Sequence, residues 1–116
     1  MSAKRILLVD ESSVRQPYLG EVLQDTGSVT VYKEPDKALS AVKRGLGVDV
    51  AVIHYRMSLT PLIQAIRRST PQAKIVAFGS PRSETPLGVD KYLTQPVLGS
   101  ELRNIVDAMA AKRRNN

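Results

Sequence analysis

The chain has 116 residues, a length that fits one domain built around a single hydrophobic core. Hydrophobic residues make up 42% and charged residues 24%, values typical of globular domains, so the composition favours neither a disordered nor a membrane-embedded protein. The lack of cysteine excludes disulfides, thiolate nucleophiles and sulfur-based zinc sites, while 17 Lys and Arg against 11 Asp and Glu favour acidic partners, which include proteins, nucleic acids and lipid headgroups.

The two ends of the chain are basic, but neither resembles a targeting signal. Only the apolar run 6–9 separates Arg5 from Asp10, which is far too short for a secretory signal or a membrane span. We therefore expect a cytoplasmic location and no membrane contact. The dense basic run 112–114 is more typical of a solubilising tail than of a binding motif, so we expect a domain over 1–111 and a basic tail over 112–116.

Short apolar runs alternate with stretches of helical period, which is the pattern of βαβ units and a parallel sheet. Strands are predicted at 6–9, 29–32, 48–53, 75–78 and 92–94. The run 48–53 is the most apolar of the chain, so we expect it at the centre of the sheet, with His54 at its carboxyl end.

Helices are predicted in the intervening stretches from their caps and their apolar spacing. Ser12 and Ser13 are expected to cap the first helix, Pro35 to open the second, Thr60 to cap the third and Ser100 to cap the last. The inward faces of the first and last helices are predicted to hold Val14, Tyr18, Leu19, Val22 and Leu23, and Leu102, Ile105, Val106 and Met109.

The stretch 80–88 between the fourth and fifth strands has little room for a helix. It contains two prolines and a glycine, and a helix averages about eleven residues. We expect the fourth crossover helix to be missing or a single turn, with 81–87 irregular. The fourth and fifth strands should then be more exposed on one face of the sheet, and such a patch commonly marks a partner or dimer surface.

Candidate functional residues follow the carboxyl ends of the predicted strands, where open parallel sheets bind their ligands. They are Asp10 with Glu11, then His54, Gly79, and Gln95 with Pro96. Asp10 and Glu11 taken alone carry little information, because acidic residues are common in turns and near helix starts.

Three segments resemble the landmark motifs of response-regulator receiver domains: LLVDE at 7–11, VIHYRM at 52–57 and DKYLTQP at 90–96. They occur in the family's order and span essentially the whole chain. The resemblance implies a flavodoxin-like (CheY-like) doubly wound fold with five parallel strands in the order 2-1-3-4-5, and a role in two-component, phosphorelay-type signalling.

The resemblance also assigns roles to single positions. Asp10 and Glu11 match the acidic pair that holds magnesium in the family. The phosphoacceptor aspartate is replaced by His54, the hydroxyl residue after the fourth strand by Gly79, and the lysine before a proline by Gln95. Three of the positions that carry the family's chemistry have therefore changed.

Two more positions follow from the resemblance. Tyr92 matches the aromatic that changes rotamer in the family, and without a hydroxyl partner at Gly79 we expect a static surface tyrosine. The Gln95–Pro96 bond is expected to be cis, since a tight turn after a strand is where cis proline is usually found. The Gln95 amide is expected to contact His54 or Asp10.

Phosphoryl transfer to a carboxylate needs a nucleophile, a divalent ion and fixed donors on the transferring oxygens. His54 replaces the acceptor oxygen with a nitrogen base, glycine and glutamine supply neither a hydroxyl nor a cation, and a hard cation such as magnesium prefers oxygen ligands. We therefore predict no catalytic residue, no cofactor and no bound metal, with Asp10 and Glu11 only weak metal candidates. We expect His54 beside Asp10 or Glu11, as a hydrogen-bond donor or, when protonated, an ion-pair partner.

Three functions remain open from the sequence. The favoured one is a pseudo-receiver that binds a protein partner or a second copy of itself without phosphorylation. The second is a nucleic-acid-binding module. The net charge of +6 favours it, and the lack of any nucleic-acid recognition motif argues against it. The third is a residually active receiver that uses His54, and fold likeness alone decides none of them.

Overall fold

A computed structural model describes residues 4–56 and 59–114. The elements are strand β1 (Arg5–Val9), helix α1 (Arg15–Gln24), β2 (Ser28–Tyr32), α2 (Pro35–Lys43), β3 (Val50–His54), α3 (Thr60–Ser69), β4 (Lys74–Gly79), β5 (Lys91–Thr94) and α4 (Gly99–Arg114). All strand pairs are parallel and the sheet order is β2-β1-β3-β4-β5, which confirms the predicted topology with β3 at the centre. Residues 1–3, Met57 of the second motif and residues 115–116 of the expected tail lie outside the described residues.

Each face of the sheet is covered by two helices over its own hydrophobic core. Successive side chains of a strand point to opposite faces. Leu7 and Val9 accordingly pack toward α2 and α3, whereas Ile6 and Leu8 pack toward α1 and α4. A fully buried side chain of this size stabilises the fold by about 1.5–3 kcal/mol, so the alternation within β1 fixes both layers at once.

The start of α1 differs from the prediction. The helix begins at Arg15, whose backbone N–H donates to the Ser12 hydroxyl oxygen at 3.1 Å. Val14 precedes the helix and is 83% exposed, and Tyr18 is 51% exposed. The prediction that these two side chains face the core is therefore wrong, because Leu19 and Leu23 set the buried face of α1 and Tyr18 lies beside it.

Three other boundaries are shifted. Thr60 is the first residue of α3 and Leu59 takes the N-cap position, and Ser100 is the second residue of α4 after Gly99, so neither side chain is the predicted cap. Strand β3 begins at Val50, two residues later than expected. The inward residues of α4 were placed correctly, with Leu102 and Val106 buried and Ile105 and Met109 partly buried against the same core.

Helix α4 has 16 residues and continues to Arg114, so its backbone includes the first three residues of the expected basic tail. The boundary at residue 111 stays a prediction. Within the described ranges, no helix has both the length and the apolar composition that a membrane span requires.

The connection from β4 to β5 contains no helix, as predicted. Strand β4 is nevertheless buried from Ile75 to Gly79, so the expected exposure of this strand is wrong. Exposure is confined to β5, at Lys91 and Thr94. No helix follows β4 to cover its Gly79 end. Side chains of the candidate site cover it instead.

Candidate functional site

The carboxyl edge of the sheet brings the predicted positions together. Asp10 follows β1, His54 ends β3, Gly79 ends β4 and Gln95 follows β5. The strand register aligns them, because His54 pairs with Phe78 and the next residue, Gly79, pairs with Thr94.

Asp10 is the deepest charged group of this edge, with a side chain that is 0% exposed. Its Oδ1 accepts the backbone N–H of Ser12 at 3.1 Å. Both carboxylate oxygens also accept from Arg15, Nε to Oδ2 and Nη2 to Oδ1, each at 2.7 Å. A buried carboxylate is tolerated when a cation is buried with it and its lone pairs are used, and Arg15 meets both conditions.

Arg15 is held in place from two sides. Its guanidinium carbon lies 5.2 Å from the ring centroid of Phe78, close enough for a cation–π contact. Its hydrogen bond to Asp10 raises the pKa of Arg15 and outweighs the opposite effect of burial. The arginine therefore remains charged and occupies the oxygens that a metal would need.

Glu11 and His54 form the second pair, as expected from the sequence. His54 Nδ1 lies 3.1 Å from Glu11 Oε1 and 3.0 Å from Oε2, and since an ionised carboxylate can only accept, Nδ1 carries the proton. Arg56 Nη2 donates to the same carboxylate. The His54 ring stacks on Phe78 with the centroids 5.3 Å apart, which fixes its orientation toward Glu11.

The pKa of Glu11 reflects two opposing effects. Burial alone raises the pKa of this carboxyl, but hydrogen bonds from His54, from its own backbone and from Arg56, together with the charge of His54, leave it below its ordinary value. Glu11 is therefore ionised at neutral pH, and Arg15 and Arg56 face two carboxylates. The two carboxylates are thus each paired with an arginine without any added ion.

Gly79 and Tyr92 fit together in a way that the sequence did not indicate. A Cβ atom at Gly79 would lie 2.8 Å from the Tyr92 hydroxyl, and that hydroxyl donates to the Ser80 carbonyl at 2.6 Å. Burial raises the pKa of Tyr92. The expected surface tyrosine is thus half-buried and lies over the position where the family's hydroxyl residue would stand.

Arg82 completes the cover of this end of the sheet. Its guanidinium carbon lies 4.9 Å from the ring centroid of Tyr55 and 5.9 Å from that of Tyr92, and the two rings contact each other edge to face at 6.3 Å. We call Tyr55, Arg82 and Tyr92 the aromatic lid. The lid lies over the Gly79 end of β4, whereas Ile75, Val76 and Phe78 are buried in the two cores.

Gln95 and Pro96 close the edge. Their peptide bond is cis, as expected from the sequence, and the Gln95 N–H donates to the Gly79 carbonyl at 2.8 Å. Among the described residues, no hydrogen bond joins the Gln95 side chain to His54 or Asp10, so the expected amide contact is wrong. Arg15 already holds the Asp10 oxygens, and Glu11 accepts from His54.

The residues present do not fit magnesium. Potential ligand atoms of Asp10, Glu11 and His54 lie within 4.8 Å of one another, which is the spacing of a metal site. The third ligand would however be an imidazole nitrogen, whereas magnesium requires an octahedron of oxygens. The Asp10 oxygens are also engaged by the guanidinium of Arg15.

Sequence reasoning did not identify the residues that neutralise the edge. Arg15 lies five residues after Asp10 at the start of a helix, a spacing that brings it over the strand end, and this is the one signal that could have indicated it. Arg56 was part of the second motif without an assigned role. Tyr55 and Arg82 contact each other only because the chain folds back from β4, which no local pattern reveals.

No protein-family model matches the chain, and no curated protein matches it either. Among solved structures, it is similar to a response regulator receiver protein from Sinorhizobium medicae, with 24% identity and a TM-score of 0.80 over 96% of this chain and 97% of that one. A receiver domain protein from Clostridium thermocellum gives 17% identity and 0.81 over 96% and 97%.

An adenylate cyclase structure from Rhodopirellula baltica is similar to the same extent, with 23% identity and a TM-score of 0.82 over 97% of this chain and 90% of that one. Likeness at these identities concerns the fold. The chain has the CheY-like fold of receiver domains, while the side chains at its carboxyl edge are its own.

Proposed function

We propose that this chain is a receiver-like, non-enzymatic protein-interaction module that works in two-component signalling without accepting a phosphoryl group. The observation that carries the proposal is the bidentate pair between Arg15 and the fully buried Asp10. An internal cation occupies the place of the divalent ion, and neither His54 nor Gly79 supplies the acceptor chemistry. We expect the module to act in the cytoplasm and to need no cofactor.

Exposed apolar side chains support a protein partner. Val14 and Tyr18 at the start of α1 and Leu98 just before α4 are exposed. The Tyr18 hydroxyl accepts the Gly99 N–H at 3.0 Å, which brings the starts of the two helices together. A tyrosine flanked by exposed aliphatic groups is a composition that protein interfaces favour.

The phosphorylation claim is tested with acetyl phosphate and with beryllofluoride, each with magnesium, by amide chemical shifts of the labelled protein. We expect no shift at Asp10, His54 or Gln95, because the acceptor carboxylate and its supporting groups are replaced. Shifts at these residues that disappear in His54→Gln would establish a residually active receiver that uses His54 and overturn the proposal.

The partner claim is tested by co-purification from the source organism with the parent chain and with Leu98→Ser. A protein retained by the parent should be lost from the variant if the patch at the helix starts is the contact. Leu87→Ser is the matched control, since Leu87 is also an exposed leucine but lies in the loop between β4 and β5. Equal loss from both variants would count against this patch.

A further inference from the structure

The amino-terminal edge of the sheet, opposite the candidate site, carries cations that no carboxylate neutralises. Its acidic residues each form an ion pair with a cation. The pairs are Asp25 with Arg103, Asp49 with Arg5, Asp90 with Arg67 and Asp107 with Lys4. In the described part of the chain no ion pair involves Lys43, Arg44, Arg68 or Lys74, which we call the basic edge.

The fold places these four cations at one end of the molecule. Lys43 and Arg44 end α2, Arg68 lies in the last turn of α3, and Lys74 begins β4 in register with Val50 of the central strand. Helices α2 and α3 pack on the same face of the sheet, so their ends are neighbours. Helix α4 also runs toward this edge, since its residue Asp107 pairs with Lys4, and its sequence ends in three basic residues.

The surface around these cations lacks exposed apolar anchors. Lys43, Arg44 and Arg68 are exposed, and neither segment that carries the cations, 43–47 or 67–74, holds an exposed large apolar side chain. Protein interfaces concentrate their binding energy in buried aromatic and aliphatic side chains, which this surface does not offer. Phosphate groups bind through charge and direct hydrogen bonds, which Lys and Arg supply.

We propose that the basic edge binds the sugar–phosphate backbone of a nucleic acid without sequence preference. The inference goes beyond the proposed function and uses none of its residues. Four cations at one end can neutralise several phosphates, since duplex DNA carries one charge per about 1.7 Å of its axis. The expected affinity is that of non-specific binding, a Kd of about 10⁻⁴ to 10⁻⁶ M.

A purely structural role for the same cations makes a different prediction. Basic residues at helix ends stabilise the exposed carbonyl groups there, and Lys43 and Arg68 are placed to do so. Their removal would then lower stability and leave the affinity for nucleic acid unchanged. Affinity and stability must therefore be measured on the same variants.

The test is fluorescence anisotropy of a short labelled DNA duplex of random sequence between about 50 and about 200 mM salt. Neutralising the basic edge in Lys43→Gln/Arg44→Gln should weaken binding about tenfold and reduce the slope of log K against log salt by about 2. The control is Lys33→Gln/Lys37→Gln, which removes two positive charges near the start of α2, at the opposite edge of the sheet, where Lys37 pairs with Glu34. It should change neither quantity.

Four results would overturn the inference. They are no binding by the parent at about 50 mM salt, equal loss in the control double variant, loss of stability without loss of affinity in the first variant, and binding of polyglutamate or of anionic vesicles as tight as that of DNA. The last result would assign the edge to an acidic protein or a lipid surface. None of these results bears on the phosphorylation claim, which is tested separately by the acetyl phosphate experiment.

Discussion

Each edge of the sheet holds a carboxylate–arginine pair, and the two pairs differ in how deeply the arginine is buried. At the carboxyl edge Asp10 is fully buried and Arg15 is largely buried with it, whereas at the amino-terminal edge the Arg5 side chain that holds Asp49 is 56% exposed. Both contacts are bidentate, with N···O distances between 2.7 and 3.1 Å. Geometry alone therefore does not indicate how much a pair matters.

The difference lies in what would remain after the arginine is lost. If the arginine is lost, water can reach Asp49 through the exposed Arg5 position, whereas Asp10 is fully buried. An uncompensated charge in a buried place is far more costly than the pair itself is favourable. Three predictions follow from this contrast, ordered by the size of the expected effect.

Arg15→Met should destabilise the protein by about 3–5 kcal/mol, because it leaves the Asp10 carboxylate buried without a cation. Arg5→Met should cost clearly less, since the Arg5 side chain is exposed and water can take its place beside Asp49. Urea unfolding of both variants measures the two values. Equal losses would show that burial does not separate the edges.

His54→Asp should lower stability at neutral pH by about 1 kcal/mol, because a third carboxylate joins Asp10 and Glu11 and solvent screens part of the repulsion. Magnesium should then raise the melting temperature of the variant by mass action and leave that of the parent nearly unchanged. Thermal melts of both proteins with and without magnesium test this. An equal response of the two would contradict the view that His54 stands in for the metal chemistry.

Acidification should have the smallest effect, and it should arise in part at Glu11. The pKa of this carboxyl is lower in the folded protein, so the unfolded chain binds the proton first as the pH falls below about 4.3. The stabilisation from Glu11 is complete above that value and is lost as the pH falls through the folded pKa. Glu11→Gln should flatten the acid side of the stability profile.

The matched control for the acid profile is Glu21→Gln, which removes an exposed carboxylate on α1. Its profile should follow that of the parent. If Glu11→Gln retains the full acid slope, the contacts from His54 and Arg56 do not hold Glu11 ionised in solution.

The sheet could be predicted from the sequence because its signals are local. Continuous apolar runs such as 50–53 specify buried parallel strands, and two prolines with a glycine leave no length for a helix before β5. The contact between His54 and Glu11 was also predictable, since neighbouring parallel strands end at the same edge.

The contacts that were not predicted depend on long side chains and on strands that become neighbours only in the folded chain. Arg15 reaches Asp10 only once α1 starts where it does, and Gly79 tolerates the Tyr92 hydroxyl only once β5 pairs with β4. The expected contact of the Gln95 side chain with Asp10 was wrong for the same reason, because Arg15 occupies the oxygens of that buried carboxylate. The order of residue types along the chain does not indicate which distant residue a long side chain will contact.

The helix-free connection from β4 to β5 has a consequence for how the chain can be cut. The Arg82 side chain anchors it at one end and the Gly88 carbonyl, which accepts from Arg67, holds it at the other. The stretch 83–85 between these anchors is exposed. The start of β1 and helix α4 meet at the amino-terminal edge, where Lys4 pairs with Asp107. A circular permutant that opens at this stretch, with a linker across the amino-terminal edge, should keep every strand pairing, because the new opening cuts no strand and no helix.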